Sequence, residues 1–180
     1  MKSNHTTTFG GAKTPPDGGR YARCLGAFII NCGMLEFHTY CWMIGLSPKL
    51  EIPPGASELS WSDRVAWIRR KIKATKMTAS IRVEVIKELN AVQKMYELRN
   101  IVAHGPMIWG QHDDGTLFAV VPNVKKSLKG KPSKIVEFSD IEAAIPTSEA
   151  VYRRMRDLLD RVAEDIGIKA PFEGTSTTFQ

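Results

Sequence analysis

The sequence predicts a mainly α-helical domain: a bundle of about four main helices, with a small β-ribbon inserted before the last. Three observations carry this. Apolar residues recur at helical spacing over long stretches up to Gly105. After Gly105-Pro106 the pattern changes to short apolar runs around a turn. Helical spacing then returns for the last long stretch before the C-terminal tail.

The elements follow in order. Residues 1–20 are rich in Thr, Gly and Pro and predict a flexible N-terminal arm. A first helix is expected from about Tyr21 to Leu46, stopped by Ser47-Pro48. After the Pro/Gly-rich connection SPKLEIPPGASEL, a second helix starts near Ser60 or Ser62, with Trp61, Val65, Ile68 and Ile72 as its apolar stripe. A third runs from about Ala79 to Ala103. Ile81, Val85, Leu89, Val92 and Tyr96 make its stripe, Arg99 continues that line, and Gly105-Pro106 stops it. The segments PMIWGQ and TLFAVV flank HDDG, whose Asp114-Gly115 pair favours a hairpin turn. A basic loop, NVKKSLKGKPSK, leads to the short strand IVEF, so the ribbon occupies about 106–138. Ser139 or Asp140 caps a last helix whose main body runs from about Ser148 to Ile166, with Val151, Met155, Leu158, Leu159 and Val162 on its apolar side. The reading is one domain over 21–168 and a flexible tail over 169–180.

Bulk properties narrow the class. A chain of 180 residues suffices for one domain with a proper core. The charge of +6 and pI near 9.3 permit a polyanionic partner without requiring one. Cys24, Cys32 and Cys41 fall in one predicted helix, more than a turn apart, which argues against a disulfide framework and for reduced thiols in a cytoplasmic protein. The first residues hold no apolar core of a secretory signal. AFIINCGMLEFHTYCWMIGL has the length of a membrane span. Asn31, Glu36 and His38 near its centre make insertion costly, so a buried helix is expected and no membrane partner.

The chemistry concentrates in ELRNIVAHG, residues 97–105. Tyr96, Asn100 and His104 share one ridge of the third helix, and Arg99 lies about 100° round from Asn100. A helix frayed at Ala103 would swing His104 closer to Arg99. A guanidinium offers a fixed fork of donors to phosphate oxygens, and an imidazole exchanges protons near neutral pH. Asn100 could orient either. Attack by RNA's own 2′-hydroxyl needs a base, an acid and charge stabilisation, but no metal. One Arg and one His do not readily supply both proton transfers; two facing chains do, which predicts a homodimer. The competing reading is helix capping, because a helix C-terminus favours cations and their hydrogen bonds to the last carbonyls. Against it, Arg99 extends an apolar stripe, where a cation should face a cleft or an interface.

Arg99-Asn100 followed by His104 resembles the signature of the HEPN superfamily (higher eukaryotes and prokaryotes nucleotide-binding domains). That signature is an Arg, usually followed by a small polar residue, with four to six residues before a His; here there are four. The resemblance covers about residues 21–166. It implies a helical bundle with the motif late in a long helix, and a polar residue in the first helix facing it, for which Glu36 is the match. It further implies a metal-independent endoribonuclease acting as a dimer, with Arg99, Asn100 and His104 catalytic and Glu36 and Tyr96 supporting. Such proteins serve as toxins beside a nucleotidyltransferase-like antitoxin or as phage-defence effectors, and their products carry a 2′,3′-cyclic phosphate. Other members only bind a nucleotide or a partner protein, and that alternative stays open. The β-ribbon is not part of the minimal bundle.

Two basic clusters could hold an RNA backbone: Arg69, Arg70, Lys71, Lys73 and Lys76, and Lys125, Lys126, Lys129, Lys131 and Lys134. The second follows His104 directly and is the preferred RNA-binding segment, although Lys-rich loops are often merely solvated. His112-Asp113-Asp114 reads as turn chemistry, and no metal or other cofactor is expected. His38 reads as a core histidine, the four tryptophans as largely buried, and the cysteines as packing residues.

Overall fold

The computed structural model of the chain describes residues 18–47, 54–105, 108–111, 117–122 and 135–168. Helix α1 (Gly18–Gly45), a 3₁₀ turn (Ala56–Glu58), α2 (Trp61–Ala74) and α3 (Ala79–His104) come first. Strands β1 (Ile108–Gln111), β2 (Leu117–Pro122) and β3 (Ile135–Glu137) follow, and α4 (Phe138–Asp165) ends the series. The fold is mainly helical, with four main helices, as the sequence predicts. No helix among the described residues is long and apolar enough to cross a membrane. Most of the predicted arm, the tail, the HDDG turn and the basic loop with Lys125, Lys126, Lys129, Lys131 and Lys134 lie outside the described residues.

The chain gathers into two units, one of residues 1–30 and 97–147, the other of 31–96 and 148–180. In the second unit the contacts link four helical segments in a ring. Glu36 of α1 meets Arg64 of α2, and Arg69 of α2 meets Asn90 of α3. Glu84 and Glu88 of α3 meet Arg161 and Arg154 of α4, and Met155 of α4 accepts a hydrogen bond from Trp42 of α1 at 3.0 Å. The predicted stripes supply its core: Val65, Ile68 and Ile72 of α2, Val85, Leu89 and Val92 of α3, and Val151, Met155, Leu158, Leu159 and Val162 of α4 are all buried. Each such side chain contributes roughly 1.5–3 kcal/mol on burial. Ser60 caps α2, its Oγ accepting from the Asp63 backbone N–H at 3.3 Å. Asp165, at the end of α4, accepts from both the backbone N–H and the hydroxyl of Thr78 at the start of α3, which holds its carboxyl below the usual range. Gly167 stands at φ 72°, a left-handed position after α4 that glycine takes without strain, and Ile168 N–H closes back on the Ala163 carbonyl at 2.9 Å.

In the first unit, β1, β2 and β3 form an antiparallel meander in that order. The register pairs Ile108 with Val120, Gln111 with Leu117, and Val121 with Val136. α4 leaves β3 without a break. The helix starts at Phe138, within two residues of the cap expected at Ser139 or Asp140, and runs unbroken through Pro146 into the main body expected from Ser148. Pro146 cannot donate to the carbonyl of residue 142, and the hydroxyl of the next residue, Thr147, bonds back to the Ala143 carbonyl at 2.9 Å. α1 starts at Gly18 rather than Tyr21, for Arg20 is tied to Glu142 at 2.6 Å and Tyr21 packs on Phe138 with ring centroids 3.8 Å apart.

Candidate functional site

The last two turns of α3 carry Arg99, Asn100 and His104 in the first unit. Val102 faces that unit's core at 7 % exposure, which turns its neighbours outward: Arg99 and Asn100 are half-buried, and Ala103 and His104 are exposed. Arg99 Nη1 donates to Asn100 Oδ1 at 3.2 Å. Asn100 therefore orients the guanidinium, and its amide oxygen is committed there rather than to the imidazole.

The fraying expected at Ala103 does not occur. α3 stays helical through His104, and Gly105 N–H closes the last turn on the Ile101 carbonyl at 2.7 Å. Five residues of helix separate Arg99 from His104 by about 140° of rotation. Asn100 and His104 lie about 40° apart. Within one chain the helix thus presents the guanidinium and the imidazole in different directions.

The two supporting residues belong to the second unit and are engaged there. Glu36 accepts from Arg64 Nη1 at 3.2 Å. Tyr96 meets Trp61 edge to face, with centroids 5.2 Å apart. Arg64 is the residue that sequence reasoning missed. Its side chain is only 7 % exposed, and its guanidinium lies 3.9 Å over the Tyr40 ring. A signal was available, because Arg64 stands three residues after Trp61 and four before Ile68, inside the apolar stripe of α2. A cation there must find an anion or an aromatic face.

His38 lies in the core of the second unit, as expected. It is 6 % exposed, and the Tyr152 ring meets it edge-on at 4.5 Å. Among the described residues its Nδ1 has no hydrogen-bond partner. Burial, with the charge of Arg156 adding to it, lowers its pKa to about 4, so the ring is neutral. Cys32 and Cys41 are buried, Cys24 is partly so, and all three are free thiols; burial pushes Cys41 up to about 11. Among the described residues no group of three His, Cys, Asp or Glu side chains is placed to hold a metal ion.

Of the first basic cluster, Arg69 donates to Asn90 Oδ1 at 2.7 Å and Lys71 lies 5.3 Å over the Trp67 ring. Arg70, Lys73 and Lys76 are exposed. No protein-family model, curated protein or solved structure matches the chain.

Proposed function

We propose that the chain is a metal-independent endoribonuclease of HEPN type, acting as a homodimer in a toxin–antitoxin or phage-defence setting. The observation that supports this best is the Arg99–Asn100 pair, 3.2 Å apart, followed by an exposed His104 at the very end of α3. Among the described residues only Asn100 bonds the guanidinium, on one nitrogen, and the other N–H groups have the geometry to take two oxygens of a phosphodiester. Because Arg99 and His104 diverge on one helix, the reaction needs the end of a second α3. His104 of one chain removes the proton of the 2′-hydroxyl, whose oxygen attacks phosphorus. His104 of the other protonates the departing 5′-oxygen. Arg99 stabilises the charge that builds on the phosphate. The bond from phosphorus to the 5′-oxygen breaks, and the products are a 2′,3′-cyclic phosphate and a 5′-hydroxyl. Partners on this reading are RNA and a nucleotidyltransferase-like antitoxin.

The test is incubation of purified protein with mixed RNA in EDTA, beside Arg99→Ala and His104→Ala. We expect cleavage by the parent and a loss of roughly 10²–10⁴-fold in His104→Ala. Equal cleavage by parent and variants would overturn the assignment.

A non-catalytic binding module is the second reading, and one observation favours it: Asn100 spends its amide oxygen on Arg99, and among the described residues no side chain orients the His104 imidazole. Such a module would be tolerated on expression, whereas a ribonuclease slows growth and either substitution relieves it.

A further inference from the structure

Charge is segregated across the second unit. Three contacts set the antiparallel register of α2 and α3: Trp61 against Tyr96, Arg69 with Asn90, and the Thr75 carbonyl with Arg82 at 3.0 Å. Each step forward on α2 thus matches a step back on α3, which brings Arg70 and Lys73 level with the stretch of α3 that holds Lys87. On α2 the buried side is Trp61, Arg64, Val65, Ile68 and Ile72. Helical rotation puts Arg70 opposite that side and Arg69 and Lys73 on the flank toward α3.

On α3 the two flanks differ. Glu84 and Glu88 face α4, where Arg161 and Arg154 neutralise them at 2.7 and 2.9 Å. Lys94 lies opposite the buried face of α3, and Lys87 lies between Glu84 and Asn90, about 60° of rotation from each, where its charge helps lower the Glu84 carboxyl. Arg70, Lys73, Lys76, Lys87 and Lys94 are all exposed, and among the described residues none makes an ion pair. Asp63, the one acidic residue of α2, lies in its first turn and accepts from the Ser60 hydroxyl at 2.6 Å. The two acids of α3 in this unit are thus bonded to α4, with Lys87 beside one of them, whereas Arg70 and Lys73 have no acid within four residues on α2. Like charges three and four residues apart on a helix repel, so this pattern does nothing for the fold. A polyanion would relieve it.

We propose that the exposed α2–α3 flank is a phosphate track for single-stranded RNA. Side chains at i, i+3 on a helix stand roughly 5–6 Å apart, close enough for Arg70 and Lys73 to contact successive groups of a flexible strand, and Lys76 follows just beyond the end of α2. Lys87 and Lys94 continue the track on α3. The half-buried Trp67 lies on the far side of α2, under Lys71, so the flank carries point charges and no stacking platform. Binding is therefore salt-steep and indifferent to sequence. That the strand is RNA rests on the ribonuclease reading; the track itself rests on charge.

The test uses full-length His104→Ala protein, so that RNA survives, and the anisotropy of a labelled single-stranded RNA across a salt series. Five contacts predict a slope of log K against log salt of about −3.5. The triple variant Arg70→Gln/Lys73→Gln/Lys76→Gln should lose about 2 of that slope and at least tenfold in affinity at low salt. Arg153→Gln/Arg156→Gln on α4 should change neither. The proposal is overturned if folded parent protein binds no RNA, if the triple variant keeps the parental slope, or if only vesicles containing anionic lipid are bound. RNA bound along this flank but never cleaved by the parent would sink the ribonuclease reading alone. Cleavage that survives with an unchanged slope in the triple variant would sink the track alone.

Discussion

His38 shows what a buried polar side chain does to stability. Its ring sits against Tyr152 in the core of the second unit, and burial together with the charge of Arg156 lowers its pKa from 6.5 to about 4. In the unfolded chain the same imidazole takes up a proton at its ordinary value. Between those two values the unfolded state binds more protons than the folded state, so stability falls as the pH falls. The contribution is complete above pH 6.5 and is progressively lost toward pH 4. The shift corresponds to about 3 kcal/mol at ~1.4 kcal/mol per unit. Urea unfolding at pH 7 and pH 5 should show a fall of about 2 kcal/mol in the parent. It should be much smaller in His38→Phe, which keeps a ring beside Tyr152. An equal fall in both would remove His38 as the cause. Asp165 and Glu84, both held below the usual carboxylate range, act only at lower pH and leave this window clear. Arg64 teaches a complementary lesson. Its burial follows from its place in the α2 stripe, but its choice of Glu36 and Tyr40 as partners depends on how α1 and α2 meet, which spacing alone does not reveal.

Pro146 is the clearest conflict between a residue and the helix that contains it. An interior proline removes one hydrogen bond and crowds the preceding turn, and α4 nevertheless runs from Phe138 to Asp165. Pro146→Ala restores the donor toward the carbonyl of residue 142 on an exposed stretch of helix. We expect a gain of roughly 1–3 kcal/mol and a higher Tm. Unchanged or lower stability would mean that the proline geometry is needed where α4 leaves β3. The same residue explains where the elements were legible. The start of α2 and both ends of α3 are legible within a residue or so, because caps and stop signals agree with the apolar period: Ser60 before α2, Gly105-Pro106 after α3. The cap of α4 is legible to within two residues at Ser139 or Asp140, but the unbroken run through Pro146 is not, because contacts at its start, Arg20 on Glu142 and Tyr21 on Phe138, come from residues more than a hundred positions away. The meander was foreseen as a ribbon after His104, and its three-strand register came from the structure.

Over the whole molecule the formal charge of +6 was visible in the sequence, and its distribution was not. The count cannot tell that Glu84 and Glu88 are bonded to Arg161 and Arg154 of α4 while Arg70 and Lys73 stand on a helix with no acid beyond its first turn. The candidate site divides in the same way. Arg99, Asn100 and His104 were legible as a motif at a helix end, whereas the divergence of Arg99 from His104 depends on the last turn staying closed. Tyr96 and Glu36 carry contacts of their own, to Trp61 and Arg64, which no motif spacing encodes. An exposed basic flank has a consequence for the stability of the whole protein. A ligand that binds only the folded chain stabilises it by mass action, by about 2.7 kcal/mol when present at 100 times its Kd. For a protein of this length that amounts to a rise in Tm of roughly 5–11 °C. Thermal unfolding of His104→Ala protein with and without single-stranded RNA in low salt should show it. The rise should shrink steeply as salt increases from ~50 to ~200 mM, because the released counterions then oppose binding. It should nearly vanish in Arg70→Gln/Lys73→Gln/Lys76→Gln, whose Tm without RNA should equal or exceed the parental value, since the substitutions remove repulsion and no core contact. A rise that resists salt, or that survives in the triple variant, would place the RNA contacts outside the α2–α3 flank.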